Sequence, residues 1–203
     1  MKNKLIPILL VFAIFWCGTV SFGQLEKENS YGINWMTWSA VEDALRKEKK
    51  KVFVDVYTDW CGYCKKMDKT TFKNKGIVKY INENFYSVKF NAENKETLTL
   101  NGIKYKYIDS GKRGYNQLAA DLLKGRLSYP TIVFLNDDLS LIQPIPGYLD
   151  AKKLEVIITY FAGNNHKKTP WTRYEKSYVP MKNRSKLKVK KENKSQLALP
   201  RKN

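Results

Sequence analysis

Apolar positions fall in separate blocks whose spacing predicts the elements. The longest block, Leu5 to Val20, is broken only by Pro7, Gly18 and Thr19 and follows Lys2 and Lys4. A basic start, a short apolar run and small residues at Ser21 and Gly23 predict a secretory signal over residues 1–23, and so an exported protein. The run is shorter than the ~20 residues that cross a bilayer. Residues 24–31 are polar and read as a linker.

Ser39 with Glu42 three residues on has the capping-box pattern and opens a helix through Val41, Ala44 and Leu45. The basic cluster Arg46–Lys51 suits its C-terminal end. Val52 to Tyr57 is β-branched and aromatic apart from Asp55, the pattern of a central strand buried on both faces. Met67, Phe72, Ile77, Tyr80 and Ile81 predict two short helices broken near Gly76, and Phe85–Phe90 a further strand. Asn101-Gly102 supplies the two positive φ angles of a tight hairpin between Leu98 and Tyr107. Tyr115–Lys124 reads as an amphipathic helix ended by Gly125. Strands follow at Thr131–Leu135 and Leu139–Ile145, then a break at Pro146-Gly147 and a last helix at Ala151–Ala162. Strands alternating with helices make this an α/β fold.

Composition refines that outline. Of 203 residues, 43% are hydrophobic and 13% aromatic, enough for a packed core. The formal net charge is +18, but residues 167–203 hold 13 Lys+Arg against Glu175 and Glu192. The signal removes Lys2 and Lys4, so residues 24–166 carry only +5. Residues 164–203 thus form a basic tail, expected to be largely disordered from about 182. A weak contact with anionic surfaces is one role for it, and a solvated tail is the other. Export removes nucleic acid as a partner.

Three cysteines exclude a disulfide scaffold. Cys17 lies in the signal beside bulky Trp16, which disfavours lipidation. Cys61 and Cys64 remain, at a strand-to-helix junction. There a helix N-terminus stabilises a thiolate at Cys61, and Cys64 lies one turn on, close enough to close a short disulfide. The pair is a reversible two-electron site in which Cys61 attacks and Cys64 resolves. A structural staple closing so small a loop would add little stability. Structural zinc needs four ligands, and the single histidine is the distant His166, so no metal is expected. Cu(I) held by Cys61, Cys64 and Met67 is an alternative from a different class.

The segment from Val54 to Met67, Val-Asp-Val-Tyr-Thr-Asp-Trp-Cys-Gly-Tyr-Cys-Lys-Lys-Met, resembles the active-site segment of the thioredoxin superfamily, in particular its envelope members. Ser128-Tyr129-Pro130-Thr131 resembles that family's cis-proline segment. The resemblance spans residues 32–163. It implies a thioredoxin-like fold, a central mixed β-sheet flanked by helices, with a hairpin and helix inserted at about 95–126 before the cis-proline. It implies a thiol:disulfide oxidoreductase acting on protein thiols and disulfides, more reductase than oxidase or isomerase. Its disulfide would be its only redox group, without cofactor, and a membrane thiol transporter its electron donor.

Residue by residue, the resemblance makes Cys61 the exposed nucleophile, Cys64 the buried resolving thiol and Pro130 the cis-proline. The backbone of Tyr129 would pair with substrate, and Trp60, Gly62 and Tyr63 would flank it. Asp55 would be the buried carboxylate that takes the proton of Cys64, and Lys89 its neighbour. The plainer alternatives are a hydrogen-bonded structural Asp55, a solvated Lys89 and a Trp60 that only packs. The Gly62-Tyr63 dipeptide resembles that of disulfide isomerases, which leaves the direction of electron flow open.

Overall fold

A computed structural model describes residues 32–183. The signal expected at 1–23, the linker through Tyr31 and the tail from 184 onward lie outside them. The chain runs through β1 (Trp35–Met36), α1 (Trp38–Lys47), β2 (Lys51–Tyr57), α2 (Gly62–Lys69), a 3-10 turn (Thr71–Lys73), α3 (Lys75–Asn84) and β3 (Phe85–Asn91). Then come β4 (Leu98–Leu100), β5 (Ile103–Tyr105), β6 (Tyr107–Ile108), β7 (Tyr115–Asn116) and α4 (Gln117–Leu122). It ends with β8 (Thr131–Leu135), β9 (Leu141–Pro146), α5 (Ala151–Ala162), a 3-10 turn (Asn165–Lys167) and α6 (Trp171–Ser177).

Five strands form one sheet in the order β1-β3-β2-β8-β9. The β1/β3 and β3/β2 pairs are parallel, and β8 and β9 are antiparallel additions. The sheet is therefore mixed, with β2 at its centre. Alternation along β2 sends its side chains into two cores. Phe53 joins Met67, Ile77, Phe134 and Ile158 on the face covered by α2, α3 and α5. Val52, Val54 and Val56 join Val41, Leu118 and Val133 on the face covered by α1 and α4. Asp55 shares the parity of Phe53, so it projects to the α2 side.

Several boundaries differ from the sequence reading. Thr37, not Ser39, caps α1, its hydroxyl accepting from the Ala40 N–H. Glu42 accepts instead from the Asn101 N–H at 2.8 Å, tying α1 to the hairpin tip. The break between α2 and α3 falls at Thr70–Asn74, and Gly76 lies in the first turn of α3, where Asn74 caps it. Tyr115 and Asn116 form a short strand with Tyr107 and Ile108 before α4 begins. Asn101 and Gly102 take φ of 50° and 77°, the tight turn that dipeptide favours.

The first part of the basic tail packs back onto α5. Tyr174 Oη donates to Thr159 Oγ1 at 3.1 Å, and Tyr178 Oη donates to Glu155 Oε1 at 2.8 Å. Trp171 and Tyr174 lie against the core around Phe134 and Phe161. Among the described residues, no helix is long and apolar enough to cross a membrane.

Candidate redox site

The buried β2 runs four residues past its end into Cys61, which caps α2. Cys61 and Cys64 are joined by a disulfide with Cα atoms 5.3 Å apart. The Cys64 N–H donates to Cys61 Sγ at 3.0 Å, so one of the orphan donors in the first turn of the helix is spent on sulfur. The resemblance implies an exposed Cys61, yet in the oxidised pair it is only 5% exposed and Cys64 only 3%. Trp60 and Tyr63 are 49% and 62% exposed and take the outer surface instead.

Antiparallel pairing sets Val56 opposite Thr131. Pro130, just before Thr131, therefore lies at the sheet end from which the cysteine loop departs. The Tyr129–Pro130 bond is cis, and Pro130 is buried. The Pro130 carbonyl accepts from the Gly147 N–H at 2.8 Å, fixing the segment to the end of β9. Tyr129 is half-buried, its ring edge-on to Trp60 at 5.9 Å. Burial, reinforced by the nearby Glu93 carboxylate, pushes its phenol up to about 12.

Beneath this surface, Asp55 is 1% exposed. Its Oδ2 accepts from Lys89 Nζ at 3.0 Å, while its Oδ1 is buried without a hydrogen-bond partner. Burial pushes the Asp55 carboxyl up to about 6, against the opposing pull of Lys89. Lys89 is no solvated strand charge. It also donates to Asp68, and its Nζ lies 4.8 Å from the Tyr57 ring centre. The two carboxylates hold its pKa above the usual lysine value even though burial opposes this.

Asp68 did not emerge from the sequence. Its signal is a helical one: it stands four residues after Cys64, on the same face of α2. Met67, which a Cu(I) site would need, is fully buried in the core with Phe53. Among the described residues no cluster of three His, Cys, Asp or Glu could hold a metal.

The rim holds further residues that sequence reading missed. Trp60 Nε1 donates to Glu93 Oε1 at 2.8 Å, and the Arg113 guanidinium lies 4.0 Å over the Trp60 ring. Tyr148 meets Tyr63 at 5.9 Å and carries Lys66 Nζ 4.9 Å above its ring. Glu93 and Arg113 belong to the segment between β3 and β8, more than thirty residues from Trp60 in the sequence, and no local pattern could have joined them to it.

Residues 39–162 match a family model described as thioredoxin-like domain. An uncharacterised Caenorhabditis elegans protein is 28% identical over 118 residues, covering 57% of this chain and 14% of that protein. Human spermatogenesis-associated protein 20 is 33% identical over 64 residues, covering 31% of this chain and 8% of that protein. The chain thus spans a small part of the curated relatives it matches. Among solved structures, a thioredoxin-fold protein from Helicobacter pylori is 18% identical, covers 63% of this chain and 83% of its own, and gives a TM-score of 0.48. The oxidised DsbD C-terminal domain of Neisseria meningitidis is 23% identical, covers 62% and 90%, and gives 0.41.

Proposed function

Because the chain belongs to the thioredoxin-like domain family, which it matches over residues 39–162, we propose that it is an exported thiol:disulfide oxidoreductase that reduces protein disulfides. The observation that carries this reading is the Cys61–Cys64 disulfide at the N-terminus of α2, with the Cys64 N–H on Cys61 Sγ. In the reduced protein the same N–H and the helix dipole stabilise a Cys61 thiolate. That thiolate attacks a substrate disulfide, forming a mixed disulfide and releasing one substrate thiolate. Cys64 then loses its proton to Asp55 and attacks Cys61 Sγ. The second substrate thiol leaves, and the Cys61–Cys64 disulfide closes after a two-electron transfer.

Asp55 suits the acceptor role because its Oδ1 is unpartnered and its affinity for a proton is raised by burial. Lys89, held between Asp55 and Asp68, keeps that carboxylate in place. Trp60, Gly62, Tyr63, Tyr129 and Pro130 form the contact surface for the substrate chain. The apolar block Leu5–Val20 supports export. In an oxidising compartment the dithiol is then regenerated by a membrane thiol donor, and no cofactor takes part.

The test is the reduction potential of the Cys61–Cys64 couple, with insulin reduction measured alongside. A reductase has a potential near thioredoxin's, ~−270 mV, and precipitates insulin chains. A value of about −120 to −180 mV overturns the direction of electron flow. Failure to exchange with any protein disulfide overturns the reaction class.

A further inference from the structure

The end of β3 and the segment after it are tied to the end of β2 and the cysteine loop at four points. The Ala92 N–H donates to the Tyr57 carbonyl at 2.8 Å, and Asn91 Nδ2 donates to Asp59 Oδ2 at 3.0 Å. Glu93 receives the Trp60 indole N–H, and Arg113 covers the Trp60 ring. The turn that carries Arg113 joins the paired strands β6 and β7. Ser110 Oγ donates to the Arg113 carbonyl at 2.6 Å, and Asp109 Oδ1 accepts from the Gly111 N–H at 3.1 Å. Gly114 packs so tightly that a Cβ there would sit 2.3 Å from Tyr107 Oη and 2.4 Å from the Ile108 carbonyl oxygen. The position of Arg113 is therefore built, and a flat surface does not explain it.

The rim charges are unequally satisfied. Asp59 is bonded to Asn91, Glu93 to Trp60, and Asp109 to a backbone N–H. Arg113 and Lys66 are exposed, lie over aromatic faces and form no ion pair among the described residues. Stacking on an aromatic face orders a guanidinium while leaving its N–H edges free for a planar anion. Those edges suit a carboxylate, which a guanidinium binds in bidentate fashion. The two cations use separate platforms, Arg113 on Trp60 beside Cys61 and Lys66 on Tyr148 beside Tyr63.

We infer that Arg113, supported by Lys66, selects polypeptide substrates whose target disulfide is flanked by acidic residues. The inference rests on the thiol-exchange reading and names its substrate class. Arg113 touches the substrate's flanking carboxylates, while Cys61 and Cys64 carry the two electrons.

Three cyclic peptides that differ only in the residues flanking one internal disulfide, Glu, Ser or Lys, test it against protein pre-reduced to the Cys61/Cys64 dithiol. Single-turnover rate constants fall in the order Glu, Ser, Lys. The Glu-to-Lys ratio is on the order of tenfold at low salt, from two exposed charge contacts, and collapses toward about one in high salt. Arg113→Glu reverses the order, and Arg113→Lys largely retains it, which loss of a merely structural contact would not produce. Equal rates for the three peptides, or an order unchanged in Arg113→Glu, overturn the inference alone. No reduction of any peptide overturns the thiol-exchange reading and the inference with it.

Discussion

Asp55 and Lys89 stand directly opposite each other on the parallel strands β2 and β3, and Lys89 Nζ donates to Asp55 Oδ2 at 3.0 Å. The contact does not cancel the burial of the acid, whose carboxyl still sits at about 6 against an ordinary 3.8. A raised acid binds its proton more tightly in the folded state than in the unfolded one. Its favourable contribution is therefore complete below about pH 4 and is lost as pH rises through about 6. Asp55→Asn removes that dependence. Denaturant unfolding of the oxidised protein at several pH values should show wild type losing roughly 3 kcal/mol relative to the variant between about pH 4 and 7. A constant difference across that range contradicts the assignment.

Removing the partner has the opposite consequence. Lys89→Met leaves Asp55 buried without its cation and raises its pKa above about 6. The variant should lose on the order of 2–4 kcal/mol at pH 8 and much less at pH 4, where Asp55 is neutral in both proteins. The pH profile of disulfide exchange should move upward with the acid. Equal losses at the two pH values would point to packing alone.

Exchange chemistry separates the two cysteines. Cys64→Ser should accumulate mixed disulfides with substrate proteins through Cys61, seen as adducts on non-reducing gels that dissolve with reductant. Cys61→Ser should accumulate none. An adduct ladder from Cys61→Ser, or none from Cys64→Ser with Cys61 titratable, reverses the roles.

Phe53 tests the core that holds the site's strand. It is fully buried and meets the rings of Trp35, Phe72, Phe85 and Phe134. Phe53→Ala should cost about 3–5 kcal/mol by equilibrium unfolding. A loss below about 1 kcal/mol would mean that this face collapses around the cavity.

Asn116 tests how the inserted segment is anchored. It is fully buried, donates to the carbonyls of Asn94 and Glu96 at 3.2 and 3.1 Å, and accepts from the Leu118 N–H at 3.0 Å. Asn116→Ala leaves those groups unpaired and should cost about 1–3 kcal/mol. Hydrogen exchange should quicken first at residues 92–116. Uniform quickening across β2 and β8 would mean that the segment has no stability of its own.

The long, strongly patterned elements were legible in the sequence. Ala151–Ala162 has the bounds its apolar spacing indicates, and β2 is one residue longer than its apolar run. Short elements were not. Trp35–Met36 and the Tyr107–Asn116 pairing are two-residue strands with no period to detect. Tyr115 fits a helical apolar pattern until its pairing with Ile108 takes it out of the helix. Cys61, Cys64 and Asp55 were visible because their chemistry is local to one strand and one turn. Asp68 carries only the helical spacing from Cys64, and its ion pair with Lys89 is tertiary. Glu93 and Arg113 reach Trp60 through tertiary contacts alone, and their neighbours in sequence say nothing of it. The near-complete burial of Cys61 is likewise a product of packing, which a motif does not record.

Gly114 has a consequence for how such a protein can change over generations. One added methyl there would collide with Tyr107 and the Ile108 carbonyl and shift the turn that holds Arg113. No cysteine, proline or buried acid would be altered. If Arg113 reads the residues that flank a substrate disulfide, as inferred above, client choice and disulfide exchange are inherited through different positions, and single steps at this turn redirect the protein toward new clients without touching its cysteines.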